Sequence, residues 1–190
     1  PEPFYYIKVF GAANKKDLYG KNKRDWAVKK KQIVEEQMNM NPRVPTIFVD
    51  DTPENVQEVQ ELKLDVTSVL LKSPGDDPPQ ALENPIEKTL VKNPNTKHII
   101  LLDFDQTLVS GQTNGVPDVE GLKQTDILRS ESYPDRIVAG TSELQKIGVF
   151  LKGLLNKGHQ VSIVTRGLTS QVQEVIDFIL DVDYGINILR

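Results

Sequence analysis

The sequence predicts an α/β fold, a doubly wound parallel sheet, on three observations. Short apolar runs rich in β-branched residues alternate with stretches of helical spacing, the pattern of strand–helix–strand units around a parallel sheet. Several of these runs are apolar without interruption, as strands buried on both faces are. Two of them stop at acidic residues, Asp50-Asp51 and Asp103-Phe104-Asp105. Those carboxylates belong at the carboxyl edge of the sheet, where open α/β folds keep their ligand sites.

Taken in order, residues 4–10 are aromatic and β-branched and end at Gly11, so they read as a strand. A helical pattern follows over about 25–38, with Trp26, Ala27, Ile33 and Val34 as its inward positions. Residues 44–49 form a second strand, after which Thr52 and Pro53 suit the N-cap and first turn of a helix carrying Val56, Val59 and Leu62. Residues 66–71 are a third strand. Residues 73–97 hold Pro74, Pro78, Pro79, Pro85 and Pro94 and read as a connector with at most one short helix near 86–91. A buried strand at 98–103 comes next, then 109–140, which lacks periodicity and reads as a loop or small lid. Thr141 or Ser142 caps a helix with Leu144, Ile147, Phe150, Leu151 and Leu154 inward, closed by Gly158. A strand at 159–164 ends at Thr165-Arg166-Gly167, and a last helix places Val172, Val175, Ile176 and Ile179 on its apolar stripe.

Composition excludes several classes of function. The 190 residues suffice for one domain with its own core. With 23 basic and 27 acidic residues the chain has no global charge for nucleic acid. The absence of cysteine excludes disulfides, thiolate metal sites and a cysteine nucleophile. No apolar run approaches the roughly 18 residues of a membrane span and no signal peptide is visible, so the expectation is a soluble protein. The chain opens on Pro1 rather than methionine, so it reads as a piece whose natural N-terminus is missing. Lysines and one arginine crowd residues 15–31; they read either as a solvated helix face or as an electropositive approach to a site. His98 and His159 stand at strand starts, away from the acidic edge, and read as structural. Trp26 reads as packing. Arg166 reads equally as a phosphate contact or a salt bridge.

The acidic strand ends carry the chemistry. Two carboxylates two residues apart, Asp103 and Asp105, can both face one substrate if the chain curls just after the strand. One could then attack phosphorus while the other handles the leaving group's proton. The competing reading makes Asp105-Gln106-Thr107 a turn and helix cap. Four carboxylates converging on one edge repel unless a divalent cation joins them, and a hard cation takes oxygen ligands.

The run Leu101-Leu102-Asp103-Phe104-Asp105-Gln106-Thr107-Leu108-Val109 resembles the first motif of the haloacid dehalogenase superfamily of phosphatases. Val161-Ser162-Ile163-Val164-Thr165 resembles its second, and Phe48-Val49-Asp50-Asp51 with Asn55 its fourth. The third, a lysine on the helix before the acidic strand, is assigned to Lys30, with Lys29, Lys31, Lys21 and Lys23 as alternatives. The resemblance implies Asp103 as nucleophile, forming an aspartyl-phosphate. It implies Asp105 as general acid and then base, Thr165 on a phosphate oxygen and Lys30 neutralising charge. Mg²⁺ would be held by Asp103, the backbone carbonyl of Asp105, and Asp50 or Asp51. An acid at Asp105 favours phosphate-ester hydrolysis.

In the family the motifs run from first to fourth; here the third and fourth precede the first and second. The expectation is therefore a circularly permuted, cap-poor single domain. Residues 1–72 supply the second half of the fold, 73–97 the Pro-rich linker and 98–190 the first half, with 109–140 as a small lid. Even part of the linker, at about 3.3 Å per residue, spans a small sheet. The rival account is a slice through two tandem domains. The small lid and the first motif resemble phosphatases of phosphoproteins, which implies a phosphotyrosine or phosphoserine/threonine substrate, with a bacterial effector, cytoplasmic or delivered into a host cell, as one setting. The alternatives are a small-metabolite or nucleotide phosphatase and a non-catalytic binding module of the same fold.

Overall fold

Five parallel strands lie in the order β1-β5-β4-β2-β3 in the computed structural model, which describes residues 5–19, 22–62, 64–72, 78–92, 94–109 and 141–181. Along the chain the elements are β1 (Lys8–Ala12), α1 (Lys15–Tyr19), α2 (Lys23–Met40), β2 (Thr46–Asp50), α3 (Pro53–Gln60), β3 (Val66–Leu70), α4 (Pro78–Leu90), β4 (Ile99–Leu102), α5 (Thr141–Asn156), β5 (Gln160–Leu168) and α6 (Thr169–Asp181). Residues 110–140, the expected lid, and 73–77 of the expected linker lie outside the described residues, as do Phe4 and Lys21.

The central strands are apolar on both sides because both faces are covered. In β4, Ile100 and Leu102 pack on one face with Leu82 and Ile86 of α4, Leu151 of α5 and Ile176 of α6. Ile99 and Leu101 turn the other way, toward Val34 and Met38 of α2 and Val56 and Val59 of α3. This period-two division of one strand between two helical layers is what a doubly wound sheet requires. A smaller cluster of Ala12, Leu18 and Trp26 extends the second layer over β1.

Several boundaries differ from expectation for identifiable reasons. The second helix begins at Lys23, ahead of residue 25, because Asn22 and Asp25 form a reciprocal capping box. Ile33 is only half-buried, whereas Lys30, Gln37 and Met38 join the inward face. Residues 78–90 form a thirteen-residue helix where a connector with a short helix was expected. Leu82, Ile86 and Leu90 recur at four-residue spacing and are buried. Prolines at 78 and 79 open the helix, where no N–H partner is lost, and Pro85 is tolerated within it.

The first strand runs through Gly11 to Ala12 rather than stopping there, and β5 continues past Thr165 to pair Leu168 with Ala12. Gly11 permits this: a β-carbon at that position would overlap the backbone carbonyl of Gly167. The outer edge of β1 is covered by one side chain of α6. Gln173 accepts from the Val9 N–H (3.0 Å) and donates to the Ile7 carbonyl (2.8 Å), satisfying backbone groups that an edge strand leaves open. Gly158 closes α5 at φ +80°, with its N–H donating to the Leu155 carbonyl.

Candidate functional site

Register sets the site. Val49 stands opposite Leu102, and the Asp103 N–H continues the ladder to the Val49 carbonyl (2.9 Å). Asp50 and Asp103 therefore end adjacent strands side by side. Alternation then sorts the side chains. Phe104 enters the α4/α5/α6 layer and is fully buried, while Asp50 and Asp103 turn toward α2.

What meets them there is Lys30. It shares the inward stripe of α2 with Trp26, Ala27 and Val34, because residues three or four apart lie on one helix face. Its Nζ lies 2.7 Å from Asp50 Oδ2 and 2.7 Å from Asp103 Oδ1. All three side chains are buried, at 2 %, 0 % and 5 % exposure. The neighbouring lysines point elsewhere. Lys29 pairs with Asp17 (2.8 Å) and lies over the Trp26 ring, and Lys31 bridges Glu58 and Glu61. Lys23 is on the rim of the cleft described below.

Asp50 accepts three hydrogen bonds: Lys30 on Oδ2, and on Oδ1 the Thr52 N–H (2.9 Å) and Asn55 Nδ2 (2.8 Å). Thr52 stands at the N-cap of α3 as expected, but its hydroxyl donates to Asp51 Oδ1 (3.2 Å) instead of capping the helix. The acids thus sit at the amino end of α3, where the helix dipole favours negative charge. Asn55 is the part of this arrangement whose role the sequence left unstated; its signal is the spacing that places it one turn into α3, facing back to Asp50.

Asp103 and Asp105 both line a cleft of about 210 Å³, together with Lys23, Trp26, Asp51 and Arg166. The curl that turns both acids into it follows Asp105. Gln106 adopts φ 58°, in the left-handed region that a non-glycine residue enters at a cost. The Phe104 carbonyl then accepts from the N–H groups of Thr107, Leu108 and Val109. Thr165 is buried in β5, its hydroxyl accepting from the Gly167 N–H (3.0 Å), and it is not among the residues lining the cleft. Its neighbour Arg166 is, with Nε buried and lacking a hydrogen-bond partner among the described residues.

Charge in this site is concentrated and only partly balanced. Burial works against the Lys30 ammonium, but the Asp103 and Asp50 carboxylates outweigh it and hold its pKa well above the ordinary lysine range. Burial pushes the Asp103 carboxyl well up, and the charges of Asp50 and Asp105 add to this while Lys30 opposes it. Burial and the Asp50 charge likewise raise Asp51. One further cation would relieve both carboxyls, since a bound ion reverses the local electrostatics.

Carboxylate oxygens of Asp50, Asp51 and Asp103 lie within 4.8 Å of one another and could hold a metal ion. The donor set is all oxygen, which suits a hard divalent cation. Asp50 is already engaged by three donors, so half-buried Asp51 and Asp103 are the better-placed ligands. No family model matches the chain, and neither does any curated protein. No helix among the described residues is long and apolar enough to cross a membrane.

Proposed function

We propose that this chain is a Mg²⁺-dependent phosphatase that hydrolyses phosphate monoesters through an aspartyl-phosphate on Asp103, as a circularly permuted member of the haloacid dehalogenase superfamily. The observation that carries the reading is Lys30, buried and 2.7 Å from both Asp50 and Asp103 at the carboxyl edge of a parallel sheet. A lysine so placed opposes the burial that raises the Asp103 carboxyl and fixes its rotamer. With Oδ1 of Asp103 on Lys30, Oδ2 is the oxygen left to attack phosphorus.

The residues divide the work as follows. Lys23 and Arg166 on the cleft wall attract and orient the phosphate dianion. Asp103 Oδ2 forms a bond to phosphorus as the ester oxygen leaves, and Asp105 gives that oxygen its proton. Asp105 then takes a proton from the water that attacks the aspartyl-phosphate, releasing phosphate and restoring Asp103. Bound Mg²⁺, on Asp51 and Asp103 with the Asp105 carbonyl, would supply Lewis-acid neutralisation of the phosphate charge. A phosphate contact from Thr165 requires its hydroxyl proton, which the bond from Gly167 leaves available.

The sheet supports the permutation. Counted from residue 98 onward and rejoined to the first strand, β4, β5, β1, β2 and β3 become strands one to five, and the spatial order becomes 3-2-1-4-5. That is a doubly wound order whose switch point falls between strands one and four. Here those are β4 and β2, the strands ending in Asp103 and Asp50.

A phosphoprotein is the proposed substrate, because a segment the length of 109–140 is too short for a large cap domain. The test compares phosphotyrosine and phosphoserine/threonine peptides with sugar phosphates and nucleotides, with Mg²⁺ or EDTA and with Asp103→Asn as control. Higher kcat/KM on peptides, lost in EDTA and in the variant, is expected. Selective turnover of a metabolite would move the assignment to a small-molecule phosphatase. No Mg²⁺-dependent hydrolysis of any substrate would leave the fold as a binding module.

A further inference from the structure

At the opposite end of the sheet a larger cavity, about 530 Å³, lies between α4 and the starts of β4 and β5. Its volume is within the range of small-molecule sites. From His98 to Asp103 the chain runs about 17 Å at 3.3–3.4 Å per residue, so an occupant of this cavity cannot touch the carboxylate cluster.

Its walls differ in character. The approaches to β4 and β5 contribute Lys97, Lys157 and His159; α4 and the turn after it contribute Glu87, Leu90, Val91 and Pro94, with Asn95 and Thr96 between. Neither lysine makes an ion pair among the described residues, and Val91 is 73 % exposed. The Lys97 ammonium lies over Gly158, where any β-carbon would displace it. His159 is equally constrained. Its Nδ1 accepts the His98 backbone N–H (3.2 Å), so the neutral ring carries its proton on Nε2 and retains one donor. Two ammonium groups without an ion pair among the described residues and an imidazole thus line the same open volume as apolar Leu90, Val91 and Pro94. An exposed valine and lysines without ion pairs among the described residues, in one concavity, match a ligand with an anionic head and an apolar body.

We propose that this cavity is a second ligand site, for a small organic anion whose charged group sits between Lys97 and Lys157 and whose apolar body lies against Leu90, Val91 and Pro94. The carboxylate of Glu87 favours ligands that also carry a hydrogen-bond donor at the apolar end. The site stands independently of the phosphatase reading.

The test is an amide-shift NMR titration of the full chain with naphthalene-1-sulfonate, which no phosphatase can turn over. Saturable shifts at Val91, Thr96, Lys97 and Gly158 are expected, with a Kd at or below about 1 mM. Sodium sulfate and neutral 2-naphthalenemethanol should each bind at least about tenfold more weakly, because each satisfies only one wall. Lys97→Gln with Lys157→Gln should weaken binding about tenfold with spectral dispersion retained. Val91→Asp provides a second variant that repels the anion from the other wall. Asp103→Asn should leave binding unchanged. Absence of saturable shifts up to about 10 mM, shifts centred on the Asp103 cleft, or unaltered binding in both variants would overturn the proposal.

Discussion

Lys30 and its two carboxylate partners are buried, with little access to water to share their charge. Removing one member of a buried ion cluster costs more than the cluster contributes, because the remaining charges lose their compensation. Lys30→Met is therefore expected to destabilise the metal-free protein by about 3–5 kcal/mol in urea unfolding, with partial recovery on adding Mg²⁺. Lys31→Met, whose ion pairs are on the surface, should cost far less, because exposed pairs are screened by solvent. The two aspartates of the second strand should separate in the same way. Asp50→Asn removes one of the two counter-charges of buried Lys30 and, with Oδ1 kept for Thr52 and Asn55, puts an amide NH₂ against its ammonium; it should lower stability most. Asp51→Asn should chiefly weaken Mg²⁺ binding in calorimetry, and the reverse pattern would assign the ligand role to Asp50. Sequence alone identifies the acids because each interrupts an apolar run. It leaves the lysine open among adjacent lysines, since the choice depends on helix phase: Lys30 shares a face with Trp26, Ala27 and Val34, and its neighbours are rotated about 100° away. The absence of Thr165 from the cleft lining was not legible either. Its position depends on β5 running on to Leu168, which only the partner strand β1 dictates.

Elements are held in register by a few contacts that can each be broken singly. Gly11 allows β1 to approach the Gly167 carbonyl, and a backbone atom cannot rotate away as a side chain can. Gly11→Ala should cost about 1–3 kcal/mol, whereas Gly153→Ala, with nothing near its β-carbon on the α5 surface, should be neutral or stabilising by up to about 1 kcal/mol. At the other end of the ladder, burial first and then the charges of His98, Lys157 and Lys97 lower the His159 pKa. The unfolded chain therefore binds a proton at His159 more readily than the native state. That contribution to stability is intact above about pH 6.5, the unfolded value, and is lost as pH falls through the unfolded and toward the folded value. Protonation at Nδ1 also removes the acceptor for the His98 N–H. Unfolding curves at pH 8 and pH 5 should show a larger loss for the native chain than for His159→Gln, and equal losses would exclude this group as the cause. The strands and most helices were legible because period-two and helical patterns are local. The helix at 78–90 was not: its prolines suggest a connector, and only the burial of Leu82, Ile86 and Leu90 against the sheet shows why a helix forms despite them.

At the scale of the molecule, the two halves of the chain do not form separate sheets. Strand β2 pairs with β4 and β1 with β5, so the two strands ending in Asp50 and Asp103 come from opposite sides of the proline-rich segment. Each half alone would expose the apolar flank of a central strand, and the Lys30 site would lose Asp103. Fragments 1–77 and 78–190 should therefore be unfolded separately, by far-ultraviolet circular dichroism, and should regain structure only when mixed. The intact chain should unfold in one cooperative transition, as single domains do. The reading as one permuted domain makes a further demand. A chain rearranged to run 78–190 and then 5–72, which keeps α4 and its buried Leu82, Ile86 and Leu90, with a short glycine-serine join, should fold to the same sheet, because β1 already lies against α6 through Gln173. It should bind Mg²⁺ with the same affinity as the parent and show the same loss on Asp51→Asn. A slice through two tandem domains would behave differently: fragments would fold alone or pair only as swapped dimers, scattering would report a two-lobed particle, and the rearranged chain would not recover the site.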